Sequence, residues 1–135
     1  MTARRKASDA VDYRLLAEFR HLLRGFVTFS EAAAREAGLT PQQHQALLAL
    51  KAFEGNATVG QLAQRLLLKH HSAVGLADRL ARAGLLTRRT DPQDRRRVTL
   101  ALTAKAEKVL EKLTAVHREE LRRLAPALRE ILARL

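Results

Sequence analysis

The sequence predicts a mainly α-helical chain with one small antiparallel β-ribbon. Three observations carry that expectation. Between Thr58 and Leu66, the residues Leu62, Ala63 and Leu66 share one helical face, and Thr58 and Gln61 stand at capping-box spacing. Further on, Ala73, Leu76, Ala77 and Leu80 recur at i, i+3, i+4 and i+7, and Gly84 stops the pattern. Two segments, 86–90 and 98–102, then flank the polar loop DPQDRRR. Val98, Leu100 and Leu102 alternate with Thr99 and Ala101, the period of a half-buried strand. Helix, turn, helix and basic two-stranded ribbon, in that order, make a winged helix-turn-helix. One helix of such a unit suits a major groove, and the ribbon suits the flanking backbone or minor groove. The complete expectation is about six helices and a two- to three-stranded antiparallel sheet.

Taken in order, residues 1–8 read as a frayed arm whose Arg4, Arg5 and Lys6 either touch phosphates or are simply solvated. Residues 9–37 read as one long helix. Leu15, Leu16, Phe19, Leu22, Leu23, Phe26, Val27, Ser30 and Ala33 trace its wide apolar stripe, and Gly38 closes it. The next helix opens with Thr40 as N-cap, Pro41 at its first position and Gln43 completing a capping box. Leu47, Leu48, Leu50 and Phe53 are expected on its core face, and Glu54-Gly55-Asn56 ends it as a turn. After the ribbon, Thr103 is expected to cap a helix from Ala104 to about Leu124, striped by Val109, Leu110, Leu113, Val116 and Leu121. Pro126 suits the first position of a new, short helix over 127–134, with Leu128, Ile131, Leu132 and Leu135 apolar.

These terminal helices carry more apolar surface than a small winged unit can cover, so 9–37 and 104–135 read as a dimerisation region. Residues 39–103 read as a winged helix-turn-helix region expected to bind DNA, within a single chain of 1–135.

The chain has 135 residues, of which 47% are hydrophobic and only 4% aromatic. That is enough apolar material for a folded core, built from Leu, Ala and Val. The formal net charge is +11. Such a balance implies a polyanionic partner, nucleic acid first and an anionic membrane surface second. No apolar run approaches the roughly 20 residues of a membrane span. No apolar segment follows the basic N-terminus as in a secretory signal, so a cytoplasmic location is expected. The chain contains no Cys, which excludes disulfides, thiolate metal ligands and thiol redox sensing. Nucleophile, Gly-rich phosphate loop and acidic pair in a plausible pocket are all missing, so the sequence does not read as an enzyme, and no cofactor is expected.

Charge is concentrated where the winged pattern lies. Residues 65–97 hold nine basic and three acidic side chains, a net +6 of the total. This favours nucleic acid over a merely solvated face.

At DPQDRRRVTLALT (91–103) the sequence resembles the MarR family of bacterial transcriptional regulators. The resemblance extends over nearly the whole chain, through LTPQQHQALLAL (39–50), TVGQLAQRL (58–66) and SAVGLADRLARAGLLTR (72–88). The wing is the specific part, with Asp94 and Arg96 ahead of the alternating strand. One departure is Leu66-Leu67-Leu68 between the two DNA-binding helices, where the family often has a Gly; a tighter or more buried turn is the expectation. The resemblance implies a triangular homodimer with the terminal regions at its apex. It also implies repression at an inverted repeat in double-stranded DNA, relieved by a small-molecule effector. It further implies that Arg96 reaches the minor groove, and that Asp94 shapes the wing tip by pairing with a nearby Arg.

With Ala73, Leu76, Ala77 and Leu80 facing inward, Lys69, His70, His71, Ser72, Val74, Gly75, Arg79 and Arg82 are left toward solvent or DNA. Ser72 can hydrogen-bond a base edge or a phosphate, and Val74 can contact a thymine methyl. Gly75 either removes a side chain where the groove floor comes close or serves packing of the helix on its own domain. Arg88, Arg95, Arg96 and Arg97 complete the basic set with Asp94, the alternative for Arg95 and Arg97 being non-specific phosphate attraction.

His70 and His71 point about 100° apart on a helix and do not easily grip one ion. His21, His44 and His117 fall on helices that line the family's ligand pocket; the alternative for each is an ordinary, partly buried His. Glu107, Glu111, Glu119 and Glu120 with His117 are a weaker metal-site alternative. The favoured reading is therefore a site-specific, ligand-released repressor with no metal. The competing readings are a basic architectural DNA-binding protein without ligand control and a His/carboxylate metal-responsive regulator.

Overall fold

The computed structural model describes the chain from residue 2 to residue 135, with side chains from residue 12 onward. Its elements run α1 (Thr2–Glu36), α2 (Pro41–Ala52), β1 (Ala57–Thr58), α3 (Val59–Leu66), α4 (His70–Arg82), β2 (Leu86–Thr90), β3 (Val98–Leu102) and α5 (Ala104–Arg134). The chain forms two compact units, one of Met1–Ala33 with Ala115–Leu135, the other of Ala34–Thr114.

The second unit is the winged one. It starts where α1 ends. The Leu39 N–H bonds the Ala34 carbonyl at 2.9 Å and the Gly38 N–H bonds the Arg35 carbonyl at 3.0 Å. These are the paired bonds of a Schellman closure, made possible by Gly38 at φ +83°. Thr40 then caps α2 with its hydroxyl on the Gln43 N–H at 3.1 Å, while the Gln43 side chain returns to the Thr40 N–H at 2.9 Å.

The buried residues of α2 are His44, Ala46, Leu47 and Leu50. Leu48, expected on that face, is exposed instead. It lies about 100° past Leu47 on the helix, beyond the edge of the apolar stripe.

The sheet has three antiparallel strands in the order β1-β3-β2. β2 and β3 have the expected boundaries, with Arg88 opposite Leu100 and Thr90 opposite Val98. β1, only two residues long, adds Ala57 opposite Leu100 on the other edge of β3. Leu100 is thus flanked on both sides and buried, and it meets a core whose deepest side chains are Leu47, Leu62, Leu76 and Leu80. Each such Leu contributes about 1.5–3 kcal/mol of transfer free energy.

In the other unit, α1 and α5 hold a polar link inside apolar surroundings. His117 Nε2 lies 2.7 Å from Ser30 Oγ, and Phe26 and Phe29 meet the imidazole edge-on at 5.9 and 5.6 Å between ring centres. Leu15, Leu124 and Ile131 are buried here, whereas Leu16, Leu23, Val27, Val116, Leu121 and Leu132 stay exposed. Arg123 grips Glu120 through two hydrogen bonds and holds that carboxyl below its usual range.

Three expectations about the helices are corrected. α1 begins at Thr2 and not at residue 9: residues 2–8 contain no Gly or Pro, and Ala, Arg and Lys are strong helix formers. The roles weighed for the Arg4, Arg5 and Lys6 side chains fall outside the described residues. At the other end, Pro126 does not start a separate helix but sits inside a continuous α5. Pro lacks one N–H and crowds the carbonyl four residues earlier, yet Leu124 and Ile131 are buried on either side of it. Consequently the described chain has five helices instead of about six.

Candidate nucleic-acid interface

The interface is organised by α3, the turn after it, and α4. Thr58 caps α3 in a complete box, its hydroxyl on the Gln61 N–H at 3.2 Å and the Gln61 side chain on the Thr58 N–H at 2.8 Å. α3 ends in the same Schellman pairing as α1: the Leu68 N–H bonds the Ala63 carbonyl at 2.9 Å, the Leu67 N–H the Gln64 carbonyl at 3.3 Å. Here the left-handed position is filled by Leu67, at φ 56° and ψ 42°. Its side chain is 92% exposed. The tighter or more buried turn expected from the sequence is therefore not what forms. The turn has the geometry of a Gly turn, with a Leu carried outward.

α4 turns the expected face inward: Ala73, Leu76, Ala77 and Leu80 are all buried. Lys69, His70, His71, Arg79 and Arg82 are placed on or near the outer face, as are Ser72, Val74 and Gly75, and none of the eight is buried. Lys69 is the N-cap and makes no side-chain cap hydrogen bond. A Cβ added at Gly75 would meet only the Arg79 Nη1 end, at 3.4 Å. Gly75 is therefore not required for packing on its own unit.

The wing tip is a pair of Asx turns. Asp91 Oδ1 accepts from the Gln93 N–H at 2.9 Å, and Asp94 Oδ1 accepts from the Arg96 N–H at 3.1 Å. The Asp91 N–H bonds the Arg97 carbonyl at 2.9 Å, and the Arg97 N–H bonds the Asp94 carbonyl at 2.9 Å. Asp94 thus shapes the tip through backbone N–H and not by pairing with an Arg side chain, the expected arrangement. Arg95, Arg96 and Arg97 remain exposed around it. Beside the wing, Asn56, Arg89, Thr90, Asp91, Arg97 and Thr99 line a groove of about 670 Å³.

Two features depart from or lie beyond the sequence expectations. One is Leu67, left-handed and exposed in a turn expected to be tighter or more buried. The other is Asp78 on α4, whose carboxylate forms an ion pair with the Arg88 guanidinium of β2. A signal for the second existed: Asp78 stands seven residues after His71, three after Gly75 and four before Arg82, on the outward stripe.

The three His weighed as ligand contacts do not share one setting. His44 is buried in the winged unit, His21 is exposed on α1, and His117 is the partner of Ser30. No cluster of three or more metal-ligating side chains occurs among the described residues. No helix among them is long and apolar enough to cross a membrane.

Comparison with known proteins gives the arrangement a context. The family model described as MarR family matches residues 37–97. An uncharacterized HTH-type transcriptional regulator of Bacillus subtilis, YkoM, is 33% identical over 102 residues, 73% of this chain. The match spans 66% of that relative's own length, just under two thirds. The crystal structure of the MarR family transcription regulator SP03579 superposes with a TM-score of 0.81 at 26% identity, covering 97% of this chain and 87% of that one. A point mutant of MepR from Staphylococcus aureus, bound to an oligodeoxyribonucleotide, superposes with a TM-score of 0.70 at 25% identity, covering 80% of this chain and 79% of that one. The sequence matches centre on the segment that holds α2, the two helices around Leu67 and the wing, and the fold built on that segment is a winged helix. The chain belongs to the MarR family.

Proposed function

We propose that this chain is a sequence-specific, duplex-DNA-binding transcriptional regulator. It acts as a homodimer on an inverted repeat and represses until a small aromatic or anionic ligand releases it. The observation that carries the reading is the outward face of α4. Its apolar half is wholly consumed by the core, so Ser72, Val74, Gly75, Arg79 and Arg82 have no structural task left. A helix with short side chains at its centre and Arg farther along suits a major groove. Ser72 and Val74 reach base edges, Gly75 lets the backbone come close, and Arg79 and Arg82 meet phosphates. Lys69 leaves the first N–H groups of α4 without a side-chain cap, which favours a phosphate there. A DNA-bound relative of the same fold supports this assignment.

The test is selection of duplexes from a random pool, followed by binding titrations at several salt concentrations. The expected outcome is an enriched inverted repeat bound at least about 10³-fold more tightly than a scrambled duplex. A basic architectural protein would show the salt dependence without that ratio. Ser72→Ala should change which sequence is preferred, while Arg82→Ala should weaken all sequences alike and flatten the salt slope. Release is tested on the same complex with a panel of aromatic carboxylates, one of which should dissociate it. His21, His44 and His117 are the residues to vary for that response.

A further inference from the structure

We propose that Asp78 is a positioning residue of the DNA interface. It holds the Arg88 guanidinium beside α4, so that Arg88 meets one place on the duplex instead of any nearby phosphate. The inference rests on the DNA-binding reading above and adds a residue pair to it.

A carboxylate is the wrong charge for a surface that faces a polyanion. Asp78 is the one acidic residue of α4, and it lies on the helix's outward stripe with His71, Gly75 and Arg82. Alone it would repel phosphates. It is not alone: Asp78 Oδ1 pairs with Arg88 Nη2, with 39% of the Arg88 side chain and 41% of the Asp78 side chain still exposed.

A guanidinium carries five N–H donors in a planar fork, and one carboxylate contact leaves most of them free. Both ends of Arg88 are fixed. Its backbone is in the middle of β2, opposite the buried Leu100. Its tip is tied to a helix whose inner face is fully packed. A long side chain held at both ends loses little further freedom on binding, the usual advantage of a preorganised contact. Gly75, about one turn before Asp78, offers no side chain to obstruct an approaching base pair. A planar fork held beside an open groove floor suits the O6 and N7 acceptors of a guanine. The same carboxylate discourages phosphates from settling on Arg88 in other registers.

A strut that served folding alone predicts something different. Half-exposed ion pairs add little to stability, so losing this one should barely alter the melting temperature and should not discriminate between DNA sequences.

The experiment compares wild type, Asp78→Asn and Arg88→Lys on the duplex selected by the wild-type protein and on its scrambled counterpart, at three salt concentrations. Asp78→Asn should weaken binding to the selected duplex by roughly 5- to 100-fold, the range for one bidentate base contact. Binding to the scrambled duplex should hold or rise, because a negative charge is gone. Arg88→Lys, which keeps the charge but lacks the fork, should reproduce the loss on the selected duplex. The double variant should be no worse than either single one.

Equal losses on both duplexes, or an unchanged ratio in both variants, would overturn the assignment. If Asp78→Asn melts much earlier than wild type, Arg88→Lys alone decides. A wild-type protein that prefers no duplex sinks the regulator reading; an intact wild-type preference with unchanged variants sinks only the role given to Asp78.

Discussion

The Thr103 hydroxyl donates to the Gly84 carbonyl at 2.7 Å while accepting from the Ala106 N–H at 3.2 Å. One side chain thereby caps the start of α5 and ties it to the end of α4. The Thr103 N–H bonds the Leu85 carbonyl at 3.2 Å, and Lys105 Nζ reaches the Ala83 carbonyl at 2.8 Å. The strands of the wing leave and return at this knot.

Thr103→Ala should therefore cost about 1–2 kcal/mol, the upper part of the N-cap range, since the Gly84 carbonyl loses a partner as well. Thr103→Ser should recover most of it. Urea denaturation of the three proteins measures both values, and an Ala variant as stable as wild type would remove the knot from the account.

Leu67 supports a prediction of the opposite sign. Three of the described helices end in a Schellman pairing; Gly38 and Gly84 fill the left-handed position in two of them, Leu67 in the third. A non-Gly residue there costs roughly 1–2 kcal/mol, and Gly gives back about 0.5–1 kcal/mol through its freer unfolded state. The exposed Leu67 side chain has little packing to lose. Leu67→Gly should stabilise the protein by about 0.5–1 kcal/mol, seen as a higher melting temperature. Destabilisation would mean that Leu67 is held by contacts the free chain does not reveal.

These residues also mark what was legible in the sequence. Caps at Thr40, Thr58 and Thr103, stops at Gly38 and Gly84, and the strands 86–90 and 98–102 could all be read, because each depends on chemistry within a few positions. Pro126 misled, because the local rule for Pro is weaker than the burial of Leu124 and Ile131 on either side. β1 is two residues long and has no period to detect; it pairs because β3 offers an edge. The pairing of Asp78 with Arg88 arises from tertiary geometry that spacing alone does not encode. The turn at Leu67 is local, but a Leu in the left-handed position carries no Gly signal to read. The basic outward face of α4 was legible, since it is what remains once the inward residues are assigned.

Self-association is the expectation raised by surface that folding leaves open. Leu16, Leu23 and Val27 on α1, with Val116, Leu121 and Leu132 on α5, are large apolar side chains with 41–63% of their surface exposed. Exposed apolar side chains in this number on two helices are what an interface would cover. Sedimentation equilibrium at micromolar concentration should give twice the chain mass of 15.1 kDa. Replacing Leu23 and Val27 by Glu should shift it toward monomer and weaken binding to an inverted repeat. A monomeric wild-type protein would contradict the proposed dimer.

Gly75 separates folding from DNA recognition in a single substitution. Gly inside a helix costs about 1 kcal/mol relative to Ala, and a methyl group there meets only the flexible end of Arg79. Gly75→Ala should raise stability by about 0.5–1 kcal/mol and yet weaken operator binding, because in the proposed interface the added carbon would occupy the space left for the groove floor. Paired melting and titration measurements check it. A variant that is both more stable and equally good at binding would place the groove elsewhere on α4.

The wing gives the last prediction. Asp91 and Asp94 turn the backbone so that Arg95, Arg96 and Arg97 project into solvent, and the Asp94 carboxylate fixes the N–H of Arg96 itself. A two-stranded ribbon cannot follow α4 into the same stretch of major groove, but its tip suits the narrower groove beside it. An Arg inserted there meets concentrated negative potential, strongest over A·T pairs. Arg96→Ala should weaken operator binding by about 1–3 kcal/mol, the range of one good Arg contact, and lower the salt slope by about 0.9 if a phosphate contact goes with it. Folding should be nearly unaffected, since the side chain is exposed. Asp94→Ala removes the acceptor for the Arg96 N–H, so it should loosen the tip and give a smaller loss on the same operator. Replacing the flanking A·T pairs by G·C removes part of what Arg96 gains, so the variant should lose less on that duplex than on the original. Titrations of both proteins on both duplexes, with thermal melts of the free proteins, give the coupling directly. If the two losses simply add, or if Arg96→Ala melts substantially earlier, Arg96 is not the residue that reads the minor groove.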